Sequence, residues 1–321
     1  MNPNLSTPSS TQAPLVSAGT LKKLLFAFPL FAYLQGFFKD LVISIMKTGP
    51  VPQHVAVIMD GNRTFARKRN LPLKEGHTAG AESLVGVLDA CYRLGVSCVT
   101  IYAFSIENFH RSKEEVDTLF GLLREKLNYL SQNEDSYAMY NKVQVKIIGN
   151  KAMIPEDILK DLERVEERTN HNFGKRVLNV CFPYTSRDDI TGAIRSISEK
   201  RINHEINKED INMDLLDISM YFGPETPPLD IMIRTSGHTR LSDFMIWQCN
   251  YDCTLEFVDT LWPDFKFFDI MAILFKWGYY KTLETEKLKH LGKRKAKLHQ
   301  TAQDILKDLP AHPPYRSVSD R

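Results

Sequence analysis

The sequence has few cysteines, and their number and spacing argue against a disulfide framework or a zinc site. Five cysteines occur in 321 residues, and an odd number does not suit a fully paired secreted domain. Cys249 and Cys253 are the only close pair, without the second pair or nearby histidines of a zinc site. We therefore expect reduced thiols in a protein that faces the cytosol.

The chain also lacks an excess of charge of one sign, and its N-terminal apolar runs are short. Lysine plus arginine (41) nearly balance aspartate plus glutamate (39), which argues against a nucleic-acid-binding surface. Neither N-terminal apolar run reaches the ~20 residues needed to span a bilayer. The G-x-G-x-x-G motif of dinucleotide-binding oxidoreductases does not follow the first predicted strand.

The first 47 residues divide into two segments of different composition. Residues 1–20 are rich in serine, threonine, proline and asparagine, which predicts a disordered tail. Residues 21–47 contain two short apolar runs, which favour a helix lying in a membrane interface or packed over an apolar cleft. A signal peptide is the alternative, although no convincing cleavage site follows.

Short apolar runs alternate with helical patterns from residue 48 onward. Such alternation predicts an α/β fold: a single domain (48–281) with a central, mostly parallel six-stranded sheet flanked by helices, followed by a basic C-terminal helix and tail (282–321). The predicted strands are 55–59, 98–104, 143–148, 177–182, 230–233 and 254–258. The predicted helices are 76–94, 112–131, 155–171, 186–200 and 214–221.

An acidic residue follows the first predicted strand. Asp60 is followed by Gly61, which permits a sharp turn, and by Asn62, which can cap a helix. A strand, a tight loop and a helix start in this order suit a phosphate group. Because a carboxylate alone repels phosphate, Asp60 is expected to bind Mg²⁺ that bridges it to phosphate oxygens. The alternative is that Asp60 only caps the helix.

Polar residues also follow the second and fifth predicted strands. After the second strand, a capping box explains Ser112 and Glu115 but leaves the residues just before it unexplained. After the fifth strand, Arg234 and Arg240 flank a glycine-containing turn. Two guanidinium groups at one strand end can bind a diphosphate, and the alternative is a solvated loop.

Six segments resemble the successive motifs of the cis-prenyltransferases. They are HVAVIMDGNR at 54–63, EGHxxG at 75–80, YAFSxEN at 102–108, RTSG at 234–237, RLSDFxxWQ at 240–248 and LWPDF at 261–265. Within this family the chain looks most similar to the fungal dehydrodolichyl diphosphate synthase catalytic subunits. The resemblance implies Mg²⁺-dependent condensation of isopentenyl diphosphate onto farnesyl diphosphate or a related allylic diphosphate, repeated with cis geometry.

The resemblance also implies roles for individual residues. Asp60 would bind Mg²⁺, and Asn62 would also assist proton removal. The allylic diphosphate would be held by Gly61, Asn62, Arg63 and Arg67. The reacting centre would be lined by His77, Ser105, Glu107, Asn108 and Arg111. Isopentenyl diphosphate would be held by Arg234, Arg240 and Ser242. Without the resemblance, a helix cap is the alternative role for His77.

The chain departs from the family pattern at four places. Thr64 and Leu73 stand where arginines are usual, with Lys74 next to the second position, and His238 stands where glutamate is common. The metal-ligating glutamate of bacterial members has no assigned counterpart: Cys253 falls near its place, and Glu256 lies three residues further on.

Two apolar helical patterns have no assigned partner in the sequence. The first indicates either a tunnel for the hydrocarbon chain or ordinary core; its residues are Leu84, Val85, Leu88, Val116, Leu119, Phe120, Leu122, Leu123, Leu127 and Leu130. The second, residues 267–280, is apolar nearly all round, which predicts burial against a partner or lipid. The basic run 287–297 fits a solvated helix or an anionic membrane surface.

Rival functions within and outside the family make different demands on the sequence. A non-catalytic partner subunit should lack the acid at Asp60, and an all-helical trans-prenyltransferase should carry Asp-Asp-x-x-Asp, which residues 188–192 do not match. No Arg-x-Gly motif of the kind that ends homomeric family members follows Phe265. The resemblance therefore implies a heteromer with a Nogo-B-receptor-like subunit, at the cytosolic face of the endoplasmic reticulum membrane or on lipid droplets.

Overall fold

The computed structural model describes residues 29–170 and 176–307, and the side chains of residues 33–170 and 176–291. The predicted disordered tail 1–20 lies outside the described residues. The contacts divide the chain into two units, with the boundary between Ile45 and Met46.

Helix α1 (Pro29–Met46) covers nearly all of the described part of the first unit. It presents apolar side chains to solvent at helical spacing: Tyr33 is 70% exposed, Leu34 52%, Phe37 60% and Leu41 44%. None of the helices that the structure describes is both long enough and apolar enough to cross a bilayer.

The second unit is built on a six-stranded sheet in which every strand pair is parallel. The strand order is β3-β4-β2-β1-β5-β6. The strands are β1 (His54–Ile58), β2 (Cys98–Tyr102), β3 (Val143–Ile148), β4 (Arg176–Cys181), β5 (Ile231–Arg234) and β6 (Thr254–Phe257). All six predicted strands are confirmed, because short runs of β-branched residues bounded by turn residues suit buried parallel strands.

Helices make the connections from β1 to β5, as parallel pairing requires, whereas β5 and β6 are joined by a loop with a short 3₁₀ turn (Gln248–Asn250). The helices of this unit are α2 (Asn62–Lys68), α3 (Leu73–Leu94), α4 (Lys113–Ser131), α5 (Tyr137–Tyr140), α6 (Glu156–Thr169), α7 (Ser186–Ile202), α8 (Met213–Ile218) and α9 (Phe267–Lys307), which follows the last strand. Helix α3 begins three residues before the predicted start because Pro72, at its N-cap, supplies a favourable entry. Helix α9 continues through residue 282, where the sequence suggested a boundary.

The two faces of the sheet carry different parts of the core. Ala56, Ile58 and Met232 belong to a buried cluster with Tyr184 and Phe244. The alternate residues of the same strands, including Val57 and Ile233, are also fully buried and point to the opposite face. Both faces of the sheet are therefore covered by other parts of the chain, and loops lie along its carboxyl edge.

The apolar face of α4 contributes to this core. Phe120, Leu127 and Leu130 are buried, as are Leu84 and Leu88 of α3. These side chains lie where the sequence predicted either core or tunnel wall, and the tunnel stays a prediction.

Residues 267–280 only partly follow the prediction that they need a partner or lipid to cover them. Ile270, Leu274 and Trp277 are buried within the second unit. Phe275 and Tyr279, on the other side of α9, are 60% and 55% exposed. One face of this helix is therefore core, and the other is an apolar surface.

Candidate active site

The site is formed by the loops at the carboxyl edge of the sheet, beginning with the loop after β1. The Gly61 backbone has φ of +106°, a left-handed conformation that favours glycine. A Cβ at this position would lie 3.0 Å from the Leu261 side chain. Gly61 therefore allows the chain to turn sharply from Asp60 into α2 under the LWPDF segment.

The Asp60 carboxylate lies at this turn but does not cap the helix. Its Oδ1 accepts a hydrogen bond from the Gly61 N–H at 2.8 Å. Gly61 is the N-cap of α2, and no described side chain caps the helix. The capping interpretation of Asp60 and the expectation that Asn62 is the cap are therefore both wrong, since Asn62 is already the first helical residue.

Asp60 instead pairs with Arg234. The Arg234 Nη2 donates to Asp60 Oδ2 at 2.7 Å, and the Arg234 side chain is only 4% exposed while that of Asp60 is 33% exposed. Removing either partner of such a pair leaves a poorly solvated charge, which is strongly destabilising. Thr235 fixes the same turn, because its hydroxyl lies 2.7 Å from the Asp60 carbonyl and 3.0 Å from the Asp60 N–H.

Arg234 is also the centre of the loop that follows β5. Its Nη1 donates to Ser242 Oγ at 2.7 Å and to the Arg240 carbonyl. Its Nε is buried and has no partner among the described residues. An unpaired buried donor beside a paired carboxylate suits an additional anionic ligand.

Arg240 and Ser242 occupy an exposed, tightly turned segment. Ser242, Asp243 and Met245 have positive φ values of 51°, 60° and 46°, so the backbone of this segment is strained. The Arg240 side chain is exposed while its carbonyl binds Arg234. The two arginines predicted to hold one diphosphate therefore differ: Arg234 is fixed by the protein, and Arg240 projects into solvent.

A second cluster surrounds His77. Glu115 Oε1 accepts a hydrogen bond from Arg111 Nη1 at 2.8 Å and lies 3.7 Å from Arg63 Nη1. Burial lowers the pKa of His77, and the cationic Arg111 lowers it further. His77 Nε2 is buried without a partner in the described part of the chain. The cluster thus presents two arginines and a neutral imidazole.

His77 lies in the second turn of α3, because that helix starts at Leu73. Its interpretation as a helix cap is therefore wrong. Glu115 was explained by sequence as a capping-box residue, and its N–H does donate to Ser112 Oγ at 3.3 Å. Its carboxylate, however, turns toward the arginines, a role with no sequence signal beyond its distance from Arg111.

Helices α2 and α3 pack closely enough to hold Asn62 in place. A Cβ on Gly76 would lie 2.5 Å from the Asn62 carbonyl, and one on Gly80 would lie 2.4 Å from Asn62 Oδ1. The two glycines are therefore required for this approach. Asn62 Nδ2 donates weakly to the Met59 carbonyl at 3.4 Å, and Oδ1 is buried with no described partner.

The predicted residues after β2 lie on a 3₁₀ turn (Ile106–His110). Ser105 caps this turn by accepting the Glu107 N–H at 3.2 Å. Glu107 Oε1 accepts from Arg187 Nη2 at 2.6 Å, and Asn108 is half-buried. Arg187 belongs to α7 and was not among the predicted site residues, because nothing in the sequence links it to a turn eighty residues earlier.

Other predicted positions lie near the edge without a described contact that defines a role. Arg67 is exposed in the last turn of α2. Thr64, Leu73 and Lys74 are also exposed, so the positions where the family usually has arginine are open to solvent.

The site offers few side chains that could bind a metal ion. Among the described residues there is no group of three histidine, cysteine or acidic side chains that could hold an ion. Glu256 pairs with Lys276 at 2.8 Å, and its register with Ile233 places it on the face opposite Arg234. Asp60 alone fits Mg²⁺, which commonly binds one or two carboxylates together with substrate phosphates.

Comparison with known proteins agrees with this geometry. The Prenyltransf family model, which describes undecaprenyl diphosphate synthases, matches residues 58–282. The chain is 39% identical over 280 residues to the dehydrodolichyl diphosphate synthase complex subunit SRT1 of Saccharomyces cerevisiae, covering 87% of this chain and 80% of that protein. It is 40% identical over 231 residues to the complex subunit DHDDS of Homo sapiens, covering 72% and 68%.

A solved structure shares the fold. Lavandulyl diphosphate synthase from Lavandula x intermedia, in complex with dimethylallyl diphosphate, superposes with a TM-score of 0.65 at 30% identity and covers 71% of this chain and 95% of that chain. These similarities agree with three features of the chain: the sequence motifs, the parallel sheet and the polar residues at the carboxyl edge of that sheet. The chain belongs to the cis-prenyltransferase family of prenyl-group transferases.

Proposed function

We propose that this chain is the catalytic subunit of a dehydrodolichyl diphosphate synthase. It condenses isopentenyl diphosphate units onto farnesyl diphosphate, or a related allylic diphosphate, with cis geometry, and the long product supplies dolichol for protein glycosylation. The observation that carries the proposal is the pre-formed pair of Asp60 and Arg234, 2.7 Å apart at the edge of the sheet. The Asp60 side chain is still 33% exposed and can meet a ligand, which a purely structural partner of Arg234 would not require.

Asp60 has a role in this chemistry that needs Mg²⁺. The remaining lone pairs of its carboxylate would hold the ion, and bound Mg²⁺ would supply charge neutralisation for the leaving diphosphate. Arg234 keeps Oδ2 oriented, so the carboxylate does not need to reorganise when the ion and substrate bind.

The His77 cluster fits the allylic diphosphate. Arg63 and Arg111 are both held by Glu115, which leaves their other N–H groups free to bind phosphate oxygens. Because the pKa of His77 is lowered, the imidazole is neutral at neutral pH and can donate or accept one hydrogen bond. It therefore orients the diphosphate without adding a third charge.

The loop after β5 fits isopentenyl diphosphate. Arg234 Nε and the exposed Arg240 guanidinium supply donors from the same strand end. Condensation joins the allylic carbon to the homoallylic double bond, releases the allylic diphosphate and removes one proton. An oxygen of the diphosphate can take this proton. Asn62, whose Oδ1 has no partner among the described residues, can only assist the transfer, because a neutral amide is too weak a base to keep a proton.

The chain is proposed to act as part of a heteromer. The relatives in yeast and human are named as subunits of a complex. The exposed side of α9, with Phe275, Tyr279 and Tyr280 between 55% and 60% exposed, offers an apolar surface of the kind found at interfaces. A Nogo-B-receptor-like subunit docked there would supply the Arg-x-Gly motif.

The proposed location is the cytosolic face of the endoplasmic reticulum membrane, or lipid droplets. The exposed apolar stripe of α1 suits insertion into a lipid interface. The basic run 287–297 of α9 suits anionic lipid head groups. The growing hydrocarbon product itself also requires a lipid phase when it is released.

The deciding experiment is product analysis with the purified chain, with and without the candidate partner. Farnesyl diphosphate, radiolabelled isopentenyl diphosphate and Mg²⁺ are supplied, and products are sized by mass analysis. Long polyprenyl diphosphates from the pair, and their loss when this chain carries Asp60→Ala, support the proposal. A complex that stays active with Asp60→Ala would make this chain the non-catalytic subunit.

A further inference from the structure

Arg187 joins two loops that come from different parts of the sheet. It is the second residue of α7 and follows β4. Its Nε donates to Asp243 Oδ2 at 2.7 Å, and its Nη2 donates to Glu107 Oε1 at 2.6 Å. We refer to residues 106–110 as the Glu107 turn and to residues 240–246 as the Ser242 loop.

The Asp243 end of this bridge is firmly fixed. The Arg187 N–H donates to Asp243 Oδ1 at 3.2 Å, and the Ser186 N–H donates to the Asp243 carbonyl at 2.8 Å. Ser186 Oγ accepts the Ile246 N–H at 2.8 Å. The Asp243 side chain is 13% exposed and lies at the N-terminus of α7, where a carboxylate is favoured. Arg187 and the Ser242 loop are therefore one rigid piece.

The Glu107 end is more open. The Glu107 side chain is 53% exposed, and its other described partner is His110, whose Nδ1 lies 3.5 Å from Oε2. Deeper in the fold the two loops are already tied together, because the Tyr102 hydroxyl contacts the Ser242 carbonyl at 3.2 Å and the Tyr184 carbonyl at 3.1 Å. Arg187 therefore controls the tip of the Glu107 turn and not its base.

Each loop carries residues of a different proposed substrate site. The Ser242 loop contains Arg240 and the hydroxyl that accepts Arg234, on the isopentenyl diphosphate side. The Glu107 turn is followed directly by Arg111, which belongs to the His77 cluster proposed for the allylic diphosphate. Strand β1 separates β2 from β5, so the loops start about 10 Å apart, two strand spacings.

We propose that Arg187 is a positioning residue that couples the two substrate sites. When one diphosphate binds beside the Ser242 loop, the loop and Arg187 move as one piece, Arg187 holds the Glu107 turn in its binding position, and the second diphosphate binds more tightly. This inference depends on the proposed function, because it requires two diphosphates at this edge. The Arg187 side chain is 72% exposed, so the coupling should be at the weak end of the usual range, about fivefold in affinity.

The test measures binding without turnover. The complex is titrated with a thio-linked farnesyl diphosphate analogue, which cannot ionise, in the presence of Mg²⁺ and with or without saturating isopentenyl diphosphate. In the unmodified protein, isopentenyl diphosphate should lower the Kd of the analogue about fivefold. In Arg187→Met this factor should fall to nearly one.

Two further variants separate coupling from other roles. Arg124→Met is the matched control, because Arg124 also bridges two carboxylates, Asp157 and Asp161, but both belong to α6; it should keep the full coupling. Asp243→Asn should reduce the coupling as Arg187→Met does, and the double variant should lose no more than either single variant.

Other outcomes overturn the inference. If Arg187→Met weakens one ligand but keeps the fivefold factor, Arg187 contacts a phosphate directly and couples nothing. If the unmodified complex binds both probes without any coupling, the positioning role is wrong while the proposed function stands. If it binds neither probe, the proposed function itself fails.

Discussion

Arg234 and Arg240 should fail in different ways when each is replaced by alanine, although the sequence assigns both to isopentenyl diphosphate. Arg240 is exposed and its carbonyl, which survives the substitution, makes the contact within the loop. Arg240→Ala should therefore remove only a charge-assisted contact to substrate, worth roughly 1.5 to 3 kcal/mol. This corresponds to an increase of roughly 10- to 150-fold in KM for isopentenyl diphosphate, with little change in the allylic KM.

Arg234→Ala removes more interactions than Arg240→Ala does. Its guanidinium orients Asp60 at 2.7 Å and Ser242 at 2.7 Å, so the variant disturbs the proposed metal ligand as well as the homoallylic site. We expect kcat to fall by at least ~10²-fold, because an oriented charge at the leaving group is lost. We also expect destabilisation of about 3 kcal/mol, the low end for a broken buried pair, since Asp60 is 33% exposed.

The assay varies each substrate at saturating levels of the other, in the presence of Mg²⁺, and records thermal melting of each variant. Lys160→Ala is the control, because Lys160 pairs with Glu156 on the surface of α6, where both side chains are more than 60% exposed, and it should change none of these quantities. Equal increases of both KM values in Arg240→Ala would refute a dedicated homoallylic contact. An Arg234→Ala variant with normal kcat would refute the role given to its pair with Asp60.

Three further predictions concern other residues of the second unit. Asp60→Ala should reduce turnover by at least ~10²-fold while the melting transition remains cooperative. Activity of the unmodified protein that survives excess chelator would contradict the metal role. Glu115→Gln should raise the allylic KM more than that for isopentenyl diphosphate, because Arg63 and Arg111 lose their shared carboxylate; comparing the two KM values checks this. Burial lowers the pKa of His54 to about 4 from an ordinary 6.5, so the free energy of unfolding should fall by up to about 3 kcal/mol between pH 6.5 and 4. Denaturant titrations across this range should show a smaller fall in His54→Gln, and equal slopes would disprove the assignment.

The His54 prediction follows from a buried chain of hydrogen bonds that the sequence pattern of the strands does not predict. His54 Nδ1 must donate to the Pro227 carbonyl at 2.8 Å, so Nε2 accepts from Thr100 Oγ1 at 2.7 Å. Asn179 Nδ2 donates in turn to Thr100 Oγ1 at 3.2 Å. A proton on Nε2 would leave the Thr100 hydroxyl without its acceptor and place a charge in a fully buried position, and for this reason acid should destabilise the fold.

The strands, the fold class and the place of Asp60 and Arg234 at the carboxyl edge of the sheet could be predicted from the sequence alone. Buried parallel strands such as β1 can be recognised from their own sequence, because their apolar runs are short, rich in β-branched residues and bounded by turn residues. Polar residues placed directly after such strands, Asp60 and Arg234 among them, must lie at the same edge of the sheet, and this alone predicts a site.

Only the tertiary structure decided which of these residues contact one another. Asp60 and Arg234 are 174 positions apart, and they meet because β5 lies beside β1 in the strand order. The sequence explained Glu115 as part of a local cap and gave no role to Arg187, because a local pattern carries no information on distant partners. Interactions between residues close in sequence favour a strand or a helix cap, whereas the pairing of distant charges depends on which loops the sheet brings together.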